Sequence, residues 1–336
     1  MLMTRPFVEN TEYGYAVARI RALETKLLDE TGLNTLLSAR DDGFVSTFTE
    51  ITGIGSAKGT IEVLLDELEE SFSVTFNIIC SLVLEDEMKR LLRLKYDYEI
   101  LKIILKEEMA PEMHTPVSLL ELSNYGYGAL KTLLAEGRAT QTGEVLFRTY
   151  NEVKGLREAG GVEIDTACDR AYYEEVFSLL EQCPNEFIKS YFIFEIDTRN
   201  IVMCMRIKVR GMKRSEIRSR YIPLGTIDVE HLEDGLDLNP EGFSSRIVFS
   251  PLAGVLREAE KTADEEETVV GIERLCEDAL TRYLRESRFV TFGLEPLFAY
   301  LRMKEIELAN LRTVFMGKIS GIPVQEIRKY MRSIYG

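Results

Sequence analysis

The sequence predicts an all-α fold built from three similar helical lobes. Three observations carry that prediction. Apolar residues recur at three- and four-residue spacing through nearly every segment, no stretch sustains a two-residue alternation, and one acidic motif returns three times. The motif reads Asp97-x-x-Ile100-Leu101, then Glu195-Ile196-Asp197-x-x-Asn200-Ile201, then Glu305-Ile306-Glu307-x-x-Asn310-Leu311. Its acids at 97, 197 and 307 stand 100 and 110 residues apart, close to a third of the 336-residue chain. The second and third copies share a tail as well. Arg210-Gly211-Met212-x-x-Ser215-Glu216-Ile217-Arg218 aligns with Ser320-Gly321-Ile322-x-x-Gln325-Glu326-Ile327-Arg328. Such self-similarity points to triplication about a pseudo-threefold axis, with lobes at 1–115, 116–225 and 226–336.

Taken in order, Tyr13, Val17, Ile20, Leu23 and Leu27 form the first apolar stripe, behind a cap at Asn10 or Thr11. Short helical patterns follow at 33–38 and 43–52. Thr60 reads as the cap of a helix carrying Ile61, Leu64, Leu65, Leu68 and Phe72, with further segments expected at 73–84 and 86–109. The link 111–116, with two prolines, ends the first third. Ser118-x-x-Glu121 is a weak capping box, and Tyr125-Gly126-Tyr127-Gly128 interrupts the pattern. Helices are expected at 143–155, from Asp165 to Phe177 and from Glu186 to Val209, with Tyr221 to Gly225 as a stop. Residues 226–248 have the most loop-like composition. Acidic Asp264 to Glu267 precedes a helix at 269–286. The tail from Glu295 to Arg312 is one long helix, followed by a Gly317-Lys318 turn and a last segment from Pro323.

Composition narrows the function. The chain is 45% hydrophobic and 29% charged with net charge -15, which describes a globular protein and argues against nucleic acid as a partner. Its longest apolar run, 73–84, is too short for a bilayer, so no direct membrane span and no signal peptide are expected. Five scattered cysteines without a CxxC pair read as reduced, mostly buried thiols. Two isolated histidines, His114 and His231, leave no first-choice zinc site and little material for a triad. Gly53 to Thr60 lacks the order of a phosphate loop, and no nucleophile elbow or dinucleotide fingerprint occurs. The expectation is therefore no catalytic residue, no cofactor and no metal.

Two features ask for an explanation. Asp97, Asp197, Asn200, Glu307 and Asn310 place carboxylates and amides on half-apolar helix faces, where they cost free energy unless partnered. One reading makes each a latch onto a neighbouring helix of its own lobe; the other makes them contacts to a partner in a central cavity. With Ile100 in the Asn position, the first lobe has at most half the latch. The second feature is charge. Arg206, Lys208, Arg210, Lys213, Arg214, Arg218 and Arg220 are seven bases with one acid among them, and 302–332 carries seven bases, Lys318 and Arg328 included, against three acids. These bases either balance the chain's own acids or face an acidic partner or lipid headgroups.

The tail resembles the C subunit of V-type and A-type rotary ATPases, the relative of the eukaryotic d subunit. The residues that carry the likeness are Phe292-Gly293-x-Glu295-Pro296-Leu297-x-x-Tyr300-x-x-x-Lys304-Glu305-x-Glu307-x-x-Asn310-Leu311-Arg312 and Gly317-Lys318. Asp165-x-x-x-Asp169-x-Ala171-Tyr172-Tyr173, the 195–201 motif and Tyr13-x-Tyr15-x-x-Ala18-Arg19-Ile20-Arg21-Ala22-Leu23-Glu24 are similar too. Ile100 departs from the Asn that the family has there. The resemblance implies a non-catalytic rotor subunit with a three-lobed funnel fold, on the cytoplasmic face of the membrane. Its implied partners are the central-shaft coiled-coil protein, that protein's small companion and the membrane rotor ring, and its implied task is passing torque between them. The competing readings are a generic all-α repeat scaffold or adaptor and an all-α enzyme that uses helix carboxylates.

Overall fold

The computed structural model describes residues 9–40, 43–55, 61–109, 120–138, 143–155, 160–259 and 265–334. Among these residues every regular element is helical and no strand occurs. Six long helices dominate: α4 (Ile61–Leu82), α5 (Asp86–Met109), α8 (Gly161–Gln182), α9 (Glu186–Val209), α14 (Glu265–Arg285) and α15 (Glu295–Ile319). Short helices fill the intervals. They are α1 (Gly14–Glu24), α2 (Glu30–Ser38), α3 (Phe44–Thr52), α6 (Tyr127–Ala135), α7 (Glu144–Gly155), α10 (Ser215–Arg220), α11 (Val229–Gly235), α12 (Pro240–Arg246), α13 (Ala253–Ala259) and α16 (Val324–Lys329).

The long helices associate in pairs. α5 packs along α8, α9 along α14, and α15 along α4. In the first two pairs the partners are joined by the short helices between them. In the third, the last of the long helices meets one from the first quarter of the sequence. One contiguous core of buried aliphatic and aromatic side chains runs through all three pairs. Tyr172, Tyr173, Tyr191, Phe192 and Phe298 form its aromatic spine, edge to face at 4.9–6.5 Å.

Several local expectations need correction. The segments expected at 61–72 and 73–84 are one helix, Ile61–Leu82, because the junction from Ser71 to Ser73 holds neither proline nor glycine to end it. The loop-like stretch 226–248 contains α11 and α12. Asp228 caps the first by accepting from the His231 N–H, and Asn239 caps the second by accepting from Gly242, with Pro240 in the first turn. The capping signals were present but were outweighed by glycine and aspartate content. Gly317 and Lys318 continue α15 instead of turning. Gly317 is there for contact: a Cβ at this position would collide with Ile327 of α16, so glycine lets the last helix fold back against α15. His114, Asp41-Asp42 and most of the Gly53–Thr60 stretch lie outside the described residues, as does Asp264.

Candidate functional site

The repeated polar pairs make hydrogen bonds within the chain, and they make the same ones. In the second copy the Asn200 amide clamps the backbone of Ile222 from both sides, donating to its carbonyl at 2.8 Å and accepting from its N–H at 3.0 Å. Asp197 then receives the N–H groups of Thr226 at 2.8 Å and Ile227 at 3.1 Å, and the Thr226 hydroxyl. Between these two grips the backbone passes through Leu224, a non-glycine residue at φ 76°, and Gly225, where a Cβ would overlap the Asp197 carboxylate. The clamp thus holds a strained turn in place. In the third copy Asn310 clamps Arg332 in the same two-sided way, at 2.9 Å each. Glu307 receives the Leu28 N–H at 2.8 Å and the Lys304 ammonium. In the first copy Asp97 receives the Asn124 N–H at 2.8 Å and its amide at 2.6 Å, while Ile100 is buried in the core.

All three carboxylates meet N–H groups in the lead-in to a short helix, two to three residues before α6, α11 or α2. Asp97, Asn200 and Asn310 are 1% exposed, Asp197 2% and Glu307 8%, and all five are turned to the backbone they hold. Burial is the main force on their acidity. It pushes Asp97 up to about 7, against the Asn124 hydrogen bonds that oppose it, and it raises Asp197 from its ordinary value against Thr226 and Ile227.

That shift predicts a pH dependence. A carboxylate whose folded pKa exceeds its unfolded value of about 3.9 favours the native state below that value, and the benefit is lost as pH rises through about 7. Asp97 alone is expected to lower stability by about 2 kcal/mol between pH 5.5 and 8. Urea unfolding of Asp97→Asn at both pH values checks this, and the variant's stability should change less with pH than the parent's.

Residues of all six long helices line an open cavity of about 1090 Å³. Where α5, α9 and α15 approach one another, a second polar set lies two residues before each repeat acid: Lys95, Glu195 and Glu305. Glu305 accepts from Arg302 at 2.8 Å and Tyr96 at 3.1 Å, with the Lys95 ammonium at 3.5 Å. Glu195 accepts from Tyr173 at 2.9 Å and Tyr191 at 3.4 Å. Arg302 is buried, and its guanidinium lies 5.2–5.7 Å from the ring centres of Tyr191, Phe192 and Phe298. Burial pushes Glu305 up, but Lys95, Arg302 and Tyr96 outweigh it and hold the carboxyl down at about 2. Sequence reading missed this group. Its signal was an arginine on an otherwise apolar helix face and the acid-x-acid spacing shared by two of the repeats.

The basic stretch is mostly neutralised from within. Arg206 pairs with Glu273, Arg214 with Asp237, Arg218 with Glu233 and Glu230, and Arg220 with Glu216. Lys208 donates to the Leu238 carbonyl and Lys318 to that of Ala39. Arg210, Lys213 and Arg328 are exposed and have no acidic partner among the described residues. Among the same residues no group of three or more His, Cys, Asp and Glu side chains converges on a metal position, and no helix is long and apolar enough to cross a membrane. His231 sits at the surface against Asp228 and the Phe249 ring.

Comparison with known proteins gives the chain a family. The family model for the ATP synthase (C/AC39) subunit matches residues 16–330. The C subunit of the A-type ATP synthase of Thermococcus kodakarensis is 24% identical, over 96% of this chain and 91% of its own length. That of Methanocaldococcus jannaschii is 23% identical over 99% and 89%. The C subunit of the V-type sodium ATPase of Enterococcus hirae is 22% identical over 75% and 76%. With its matched length spanning all six long helices and all three polar repeats, this chain belongs to the ATP synthase (C/AC39) subunit family.

Proposed function

We propose that this protein is a non-catalytic rotor subunit of a V/A-type ATPase, a socket joining the central shaft to the cytoplasmic face of the membrane rotor ring. The observation that carries the reading is the cavity of about 1090 Å³ walled by all six long helices. Its wall mixes apolar groups such as Leu65, Met203 and Ile306 with charged ones such as Glu69, Lys102 and Arg312. A coiled-coil tip presents the same mixture. The repeat-defining acids and amides serve as latches in this reading, spent on the wall itself and giving it the stiffness that torque transmission needs. The unpaired cations Arg210, Lys213 and Arg328 face acidic groups of the ring or shaft. The chain itself turns over no substrate, and it acts together with the shaft's small companion.

Two experiments test this. Cysteines placed at Met203 and Ile306 are expected to cross-link to the tip of a co-expressed two-helix shaft protein, and loss of co-purification with shaft and ring would overturn the socket reading. Arg210→Glu with Lys213→Glu is expected to weaken assembly by about tenfold or more, with stronger loss at low ionic strength. Unchanged assembly would confine those cations to solvation.

A further inference from the structure

We infer that the third helical unit is assembled from both ends of the chain, and that helices α1–α4 form a clasp which opens as one body from α15. The first two units close on themselves. Asp97 and Asp197 find their N–H donors 27 to 30 residues further along the same stretch of chain, and α5 and α9 are covered by the long helices that follow, α8 and α14. Glu307 finds its donor at Leu28, 279 residues upstream, yet at the same place in the pattern, just before a short helix whose cap is an aspartate. Asp29 caps α2 as Asp228 caps α11. From there α2, α3 and α4 follow in the order short, short, long, as α6, α7 and α8 do after the Asp97 site among the described residues. The unit boundaries that this pairing favours fall near 85, 185 and 290, with the third unit divided between the chain's two ends.

The seam is chemically continuous. Phe315 of α15 lies 5.3 Å from Phe44 and 5.0 Å from Phe48, edge to face with both. Lys318 donates to the Ala39 carbonyl at 2.6 Å, and Arg312 pairs with Glu69. Arg21 reaches the carbonyls of Ser287 at 3.0 Å and Val290 at 3.2 Å, just before α15 begins. None of these contacts is reinforced by a local connection. Between α4 and α5 the chain crosses at residues 83–85, where the Leu84 N–H donates to the Tyr13 hydroxyl at 3.0 Å. Swinging α1–α4 about this crossing breaks the seam and leaves the α5–α8 and α9–α14 pairs intact. The same motion parts Phe76 of α4 from Tyr96 and Asn77 from Arg93 of α5, but a region whose detachment leaves two helix pairs standing is a cooperative unit of local unfolding. Leu65, Glu69 and Phe72 of α4 form part of the cavity wall, so this motion opens the cavity from the side.

Native-state hydrogen exchange on the full chain tests the inference without reference to any rotary partner. The amides of α1–α4 are expected to share one opening at low denaturant, about tenfold or more above that of α8 and α14. Exchange of α1–α4 only through global unfolding, or as independent helices, would overturn it. Glu307→Ala is expected to raise exchange throughout α1–α4, with Glu307→Gln, which keeps an acceptor, restoring protection. Asp197→Ala, the same deletion within a contiguous unit, should raise exchange most around residues 222–235 and should not single out α1–α4. A Glu307→Ala effect confined to the neighbourhood of Leu28 would also sink the clasp.

Discussion

Asp197→Ala is expected to destabilise the protein by about 4 kcal/mol, because it leaves two buried backbone N–H groups and one hydroxyl without an acceptor. Two effects oppose each other here. Burial already raises this carboxyl's pKa, so removing it relieves a desolvation cost. The orphaned donors outweigh that relief, since each retains its full penalty in a site that is 2% exposed. The loss also releases the turn at Leu224, whose positive φ is held between the Asn200 and Asp197 grips. Asp197→Asn retains one acceptor and should cost about half as much. Urea denaturation of both variants measures the difference. A loss under about 1 kcal/mol for the alanine would mean that water replaces the carboxylate, and the clamp would then be dispensable.

The second large effect belongs to Arg302. Arg302→Met removes a buried cation from three aromatic faces and from Glu305. The expected cost is about 3–5 kcal/mol, chiefly because Glu305 is left buried with only the Lys95 ammonium at 3.5 Å and the Tyr96 hydroxyl. The double variant Arg302→Met with Glu305→Gln should recover part of the loss, since it removes the stranded charge. The sign with pH is the reverse of that for Asp97. Glu305 is held down at about 2, so its contribution is present above the unfolded value of about 4.3 and disappears as pH falls through about 2. Arg302→Met should flatten that acid limb. Equal stability of the single and double variants would show that Glu305 does not depend on the arginine.

How much of this was legible depends on how local each interaction is. The helices were readable because their apolar periodicity and caps act within a few residues. The errors were local as well: α11 and α12 were hidden by glycine and aspartate content although Asp228 and Asn239-Pro240 announced them. The basic run from Arg206 to Arg220 was visible as a charge excess. Its partners Glu273, Asp237, Glu233 and Glu230 lie 12 to 67 residues away, and linear spacing does not disclose them.

By itself the sequence determined the all-helical class, the threefold recurrence of an acid on a helix face, and membership of a family whose motifs appear in order along the chain. The tertiary structure alone decided what those acids hold. Asp97 and Asp197 bind chain that follows them closely, within reach of a local search. Glu307 binds Leu28 across 279 residues, and no local preference encodes such a contact. It exists because the long helix α15 has an apolar face to bury, and α4, from the other end of the chain, is the helix that covers it.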